Sequence, residues 1–496
     1  MNARWLSIFA LGAFAAAVFA SLRPRGAHGE SERGTAMPLR MVSADLPADM
    51  NEQALAALAR DAYRREMRFL DAAEPRMLFE ATRVSEEAIE ARRHSMAELY
   101  ELGGQLFNVT FTPDVGYGSR DLPPLARFHK GRRGGPDASR CVSCHWRGGP
   151  AGGGDAADDA YLDGDGDRQS SALARNPPAL SGAGVIEILA GEISTELDRQ
   201  KKAFSSSGKP GDKVELSAKG ISFGTLGKRA DGSLDFGEVR GVDDDLVIKP
   251  FGWKGNMRTI RDAVEDALLI HHGMESDYLV AHAPKERIGP YGGQDPDGDG
   301  VRSEITEGQV TVLSLYVGMQ EIPQIVPPED GDHLMMMAEG RNLFSSLGCA
   351  GCHVPALPLA STVFSLPGRQ GGAGVSVDLA RDGAEPRLVP DAQRGGFQAF
   401  VFSDLKRHDM GPKLAESRAD RGVEGRLFFT RPLWGLSRSR PYLHDGRAAT
   451  LEDAILLHGG EAQAARDAYA ALKDSERAPV RVYLTTLTRA RRLVTQ

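Results

Sequence analysis

Cysteine is scarce in this chain, with only four residues in 496, and none of the four is spare. They form Cys141-Val-Ser-Cys144-His145 and Cys349-Ala-Gly-Cys352-His353, so a structural disulfide is excluded unless one of these motifs is broken. Basic charge is not in surplus either. The 60 Lys and Arg against 68 Asp and Glu give a formal charge of -8 with mixed signs, which leaves no basic stripe to neutralise phosphates and argues against a nucleic-acid partner. Aromatic residues are only 7% of the chain. Long apolar runs are also lacking beyond the N-terminus.

Two copies of C-x-x-C-H are the signature of two covalently attached c-type haems. Two thiols at this spacing add to the haem vinyl groups, and the adjacent histidine ligates iron from below as the proximal imidazole. A zinc site built from all the thiolates would strand both histidines, and a thioredoxin-like C-x-x-C pair does not call for a following histidine. Two macrocycles would also supply apolar volume, which fits the modest aromatic content.

The one long apolar run, Trp5 to Leu22, follows Arg4 and ends near the small residues around Val18-Phe19-Ala20, as an export signal over residues 1–22 does. An uncleaved membrane anchor is the alternative, since the run is about long enough to span a bilayer and Arg23 and Arg25 lie beyond it. Either way the chain is expected in an oxidising, periplasmic compartment, where unattached thiols would pair.

More than 450 residues remain after the leader, enough for two or three domains. Helical spacing marks Met50 to Leu106, broken at Pro75, then Trp253 to His272 and Met335 to Leu347. Gly131 to Ser170 reads as loop, and alternation between Val214 and Lys249 about the Asp231-Gly232 turn reads as a small β-hairpin. Pro323 to Pro328 reads as a linker. The expected domains are therefore 40–328 and 329–496. Thr450, with Asp453 three residues on, caps a helix that stops at Gly459-Gly460 with His458 at its end.

The run Arg431-Pro-Leu-Trp434-Gly-Leu-Ser-Arg-Ser439-Arg-Pro441-Tyr-Leu-His444-Asp445-Gly446-Arg447 resembles the bacterial di-haem cytochrome c peroxidase and MauG superfamily. Phe402-Ser-Asp-Leu, His408-Asp-Met-Gly411 and Ile455-Leu-Leu-His458-Gly-Gly-Glu are similar to its di-haem oxidoreductase branch, often labelled thiol oxidoreductase. Leu106-Phe-Asn, Asn176-Pro-Pro-Ala-Leu and Phe251-Gly-Trp253-Lys extend the resemblance from about Leu102 to the end. It implies a mainly α fold of two cytochrome c-like haem domains with loop-rich insertions. The N-terminal haem would be the reactive one and the C-terminal haem the electron-transfer one, fed by a small c-type cytochrome or cupredoxin.

Within that resemblance the distal ligand of the second haem falls fourteen residues after the histidine of the L-H-D-G motif, and counting from His444 reaches His458. His353/His458 coordination is implied, with Met410 as the alternative ligand and a helix-end imidazole as the plain reading of His458. Trp253 matches the family's inter-haem relay, against a packing role and against Trp434 as rival. His271, His272 and Glu275 lie near the family's distal acid, though the register departs from its pattern. One of them would move a peroxide proton, or a histidine would close the first iron. Glu187 is a further distal candidate, and His444 is read as orienting the loop and propionate groups.

Asp295-Pro-Asp297-Gly-Asp299-Gly300 reproduces the first six positions of an EF-hand-type calcium loop, with Thr306 at position twelve and Glu304 as a compensating carboxylate. Asp163-Gly-Asp165-Gly-Asp167 is a shorter version. The resemblance places a second calcium, between the haems, on Asn176, Ser439 and Pro441. The chain is thus expected to be a di-haem oxidoreductase that reacts with peroxide or a related oxidant at the first haem. An oxidase or dioxygenase acting on a partner protein or organic substrate is one rival, and a non-enzymatic electron carrier is the other.

Overall fold

The computed structural model describes residues 74–122, 136–149, 151–164, 168–393 and 395–489, all within one compact unit. The expected leader, the first residues of the expected N-terminal domain, and Asp165 and Asp167 lie outside the described residues. Among the described residues no helix is long and apolar enough to cross a membrane.

Helices α1 (Met96–Asn108) and α2 (Ala183–Ser207) frame the first attachment motif. Ser95 starts α1 with a reciprocal cap to Glu98, satisfying two backbone donors that a helix start leaves open. A three-stranded antiparallel sheet follows, formed by β1 (Lys213–Ala218), β2 (Ile221–Lys228) and β3 (Leu234–Val239) in that order. It has one strand more than the expected hairpin. The expected helix from Trp253 begins later, as α3 (Ile260–Ala267) capped by Thr259, and continues through a π-helical turn, Leu268–His272. Helix α4 (Glu307–Gly318) is buried along its whole length and packs on α1. A β-carbon at Gly103 would lie 2.1 Å from the Val312 carbonyl oxygen, so only glycine permits this approach.

After the 323–328 segment come α5 (Gly331–Ser346), α6 (Leu451–Leu457) and α7 (Asp474–Thr485). Phe344, Phe402, Tyr469, Val480, Tyr483 and Leu484 make the core between them. The 323–328 segment is pinned, since Gln324–Ile325 pairs antiparallel with Leu487–Thr488. Gly340 lets α5 touch α7, where a β-carbon would lie 1.9 Å from the Pro479 carbonyl oxygen. Gly340→Ala is therefore expected to destabilise the protein by about 1–3 kcal/mol through overpacking, read as a lower urea midpoint with an unchanged slope.

The mainly α expectation is corrected. Helix accounts for 38% and strand for 16% of residues, and the strands form six small sheets, so the fold is mixed α and β. The excess strand lies largely in the loop-rich insertion between the second motif and α6. There Leu357–Leu359 pairs with Phe397–Ala399, Val363–Leu366 with Val375–Asp378, and Arg407–Asp409 with Leu427–Phe429. These segments are partly buried, and buried backbone amides need partners, so short ladders replace open loop.

Candidate haem sites and the bridge between them

The second motif turns tightly after α5, with Gly348 at φ +92°. The His353 Nδ1 donates to the Phe402 carbonyl at 3.0 Å, which fixes the tautomer and leaves Nε2 for a metal. Burial pushes its pKa down to about 4, so the imidazole is neutral at ordinary pH and able to ligate. His458 ends α6, whose start Thr450 and Asp453 cap reciprocally. Its Nδ1 donates to the Ala454 carbonyl at 2.7 Å, again leaving Nε2, and burial lowers its pKa too. Both histidines line one cavity of about 330 Å³, together with Met410, Trp253, Trp434 and His444.

The first motif repeats this logic. The His145 Nδ1 donates to the carbonyls of Pro178 at 3.0 Å and Gly152 at 3.2 Å, and burial pushes its pKa down to about 4. His272 ends the π-helical turn, a distortion often found at functional sites. Its Nδ1 donates to the Ala138 carbonyl at 2.6 Å, and its Nε2 lies 3.8 Å from the Cys141 Sγ. Phe111 packs edge-on against the ring at 4.8 Å, and burial lowers the pKa to about 4. His271 turns instead to Asp137, 3.2 Å away; burial lowers the histidine pKa, but the charge and bond of Asp137 together with the charge of Asp266 leave it raised. Glu275 joins Asp297 and Glu304, and Glu187 accepts from the Ile260 amide at the start of α3. Of the distal candidates, His272 is the one placed beside an attachment cysteine.

The donor set fits haem. Burial raises the Cys141 thiol to about 12 and the Cys349 thiol as well. Among the described residues no candidate metal group holds two cysteines. Arg431 lies on the wall of the same cavity, over the Trp253 ring at 5.4 Å, with its pKa lowered to about 10 by burial. No carboxylate among the described residues pairs with it, so it suits an anionic group on whatever fills the cavity, as a haem propionate is.

Trp253 lies on the wall of the second cavity. Its Nε1 donates to the Asn176 carbonyl at 2.8 Å. Asn176 is two residues before Pro178, the acceptor of His145. The tryptophan thus touches the second cavity and also the segment that accepts from His145. Trp434 lines the same cavity but donates to the Phe400 carbonyl at 2.6 Å. The next residue, Lys254, is fully buried, donates to the carbonyls of Glu424, Gly425 and Leu427, and pairs with Glu416 at 3.0 Å. Arg175 also binds Glu416 and Asp420. This network locks the loop carrying Trp253, and a buried lysine after a tryptophan was its only sequence signal.

Asp295, Asp297 and Asp299 converge, each offering an oxygen within 4.8 Å of the others, and Asp297 is shared with the buried Glu275 and Glu304. Burial, then the charge of Asp297, raises the Glu304 pKa well above its usual range. Asn176, Ser439 and Pro441 line the central cavity. The Asn176 amide donates to Asp159 at 2.8 Å and to the Asp155 carbonyl at 3.2 Å.

Residues 324–487 match the family profile described as "Di-haem oxidoreductase, putative peroxidase". No curated protein matches the chain. Among solved structures, hydrazine synthase of Kuenenia stuttgartiensis, pressurised with xenon, matches at 15% identity over 79% of this chain and 93% of that one, with a TM-score of 0.28. That overlap is too loose to inform the site. The second C-x-x-C-H motif and His458 both lie inside the span, residues 324–487, that is similar to the di-haem oxidoreductase family.

Proposed function

We propose that this chain is an exported, peroxidase-like di-haem oxidoreductase with two covalent haems c, reactive at the first and supplied with electrons through the second. A small c-type cytochrome or cupredoxin in the periplasm is the donor. The haems supply the one-electron chemistry when bound. The observation that carries the reading is the Trp253 hydrogen bond to Asn176, which joins the His353/His458 cavity to the segment holding His145. Two sites that worked separately would need no such connection.

The residues then divide the work. His353 and His458 would hold the second haem, which would supply electron transfer. His145 would hold the first. Neutral His272, steadied by the Ala138 carbonyl, accepts a proton from peroxide at its Nε2. His271 and Asp137 lie next to it and back up that position. Calcium at Asp295, Asp297, Asp299 and Glu304 would steady the segment that begins at His272, through Glu275. A second calcium falls to Asn176, Ser439 and Pro441.

A second reading has support of its own. His272 shares with His145, His353 and His458 the same Nδ1-to-carbonyl arrangement, so it could equally close the first iron and make the chain a carrier. Electron paramagnetic resonance of the oxidised holoprotein separates the two. The peroxidase reading expects one high-spin and one low-spin ferric signal. In that case His272→Ala keeps both signals and slows peroxide consumption by about 100-fold or more, the usual contribution of a positioned proton acceptor. Two low-spin signals in the wild type, one turning high-spin in His272→Ala, would overturn it in favour of the carrier.

A further inference from the structure

We propose that His408 is a charged positioning residue of the second haem site, an imidazolium that ties the loop behind His353 to the loop behind His458 and sets the potential of the haem between them. This rests on the di-haem reading above. His408 lies in the short strand Arg407–Asp409 and is 7% exposed. Its Nε2 is 2.8 Å from Asp404 Oδ2 and its Nδ1 is 2.7 Å from Glu461 Oε2. Carboxylates accept, so both ring nitrogens donate and the ring is cationic. Burial opposes that charge, and the two carboxylates bonded to the ring, Asp404 first, favour it.

With both nitrogens engaged, His408 has none left for iron. Yet it lines the cavity, and its ring nitrogen, the Cys352 Sγ and Asp404 all lie within 4.8 Å of one another. The charge is therefore at the edge where the haem is attached. Asp404 is two residues past Phe402, the acceptor of His353, and Glu461 is three past His458. The second Glu461 oxygen accepts the Asp409 amide at 2.9 Å, which closes the clamp. A cation this near, in a poorly solvated site, favours the reduced iron. Removing it from between two carboxylates leaves only negative charge beside the haem.

The test is a spectroelectrochemical titration of the full-length holoprotein, after a pyridine haemochrome count has shown two haems. His408→Gln is expected to lower the potential of the second haem and leave the first unchanged. Asp404→Asn and Glu461→Gln, which remove negative charge from the same clamp, are expected to raise it. A merely structural clamp would admit water in every variant and move all three potentials downward together. Shifts of one sign, or none with both haems present, overturn the proposal. If His408→Gln fails to assemble, Glu461→Gln carries the test alone, because its side chain is 55% exposed. No rise there is then decisive. A wild-type count below two haems, by contrast, would reject the di-haem reading itself.

Discussion

Alanine at both Cys349 and Cys352 is expected to yield a protein with one covalent haem where the wild type has two. The loss should fall entirely on the second site. His353 and His458 would remain, each with its Nδ1 held by a backbone carbonyl and its ring on the cavity wall, so the assay must separate attached haem from haem rebound without thioether bonds. Acid–acetone extraction removes such haem and leaves attached haem in place, and the pyridine haemochrome of the extracted protein should fall to half the wild-type value. The cost to the fold should also be large. The core of Phe344, Phe402 and Tyr483 closes around this motif, with Cys349 packed against it, and an apolar macrocycle removed from such a core leaves a cavity that neighbours fill only in part. The thermal midpoint should drop accordingly. A wild-type protein with fewer than two attached haems, or a double mutant that keeps two after extraction, would show that the cysteines serve another purpose.

Much of this site was legible in the sequence because attachment is local. Two thiols and a histidine within five residues are enough to propose both the cofactor and the proximal ligand, and the Thr450 cap and terminal glycines locate His458 at a helix end. What was not legible depends on contacts across the chain. His408 and Glu461 are 53 residues apart, and nothing local tells a clamped imidazolium from an iron ligand. Arg431 became informative only once its surroundings proved to hold no carboxylate. Among His271, His272 and Glu275, helical phase alone cannot choose, because the π-helical turn displaces the register just where the three begin. The strand content was missed for a related reason. The ladders between 357 and 429 are three or four residues long, too short to show alternation against a background of loop residues.

Trp253→Phe is expected to keep both haems and their ligands and to slow electron transfer from the second site to the oxidised first site by at least about tenfold, equivalent to a barrier about 1.4 kcal/mol higher. Two properties are lost together. Phenylalanine is far harder to oxidise than indole, and it cannot donate the Nε1 hydrogen bond to the Asn176 carbonyl that couples the ring to the His145 segment. The loop itself should hold, because Lys254 anchors it through three carbonyls and Glu416 while Phe429 donates to the Trp253 carbonyl, all independent of the indole. Stopped-flow mixing with peroxide would then show the first phase, oxidation of the first haem, alike in both proteins, and the second phase delayed in the mutant. Trp434→Phe is the control that decides between bridges. That indole lines the same cavity but donates to the Phe400 carbonyl and not to the Asn176 carbonyl, so its loss should leave the second phase near the wild-type rate. A reversal, with Trp434→Phe slow and Trp253→Phe fast, would move the bridge to Trp434, and equal traces in all three proteins would mean that the haems exchange electrons without either indole.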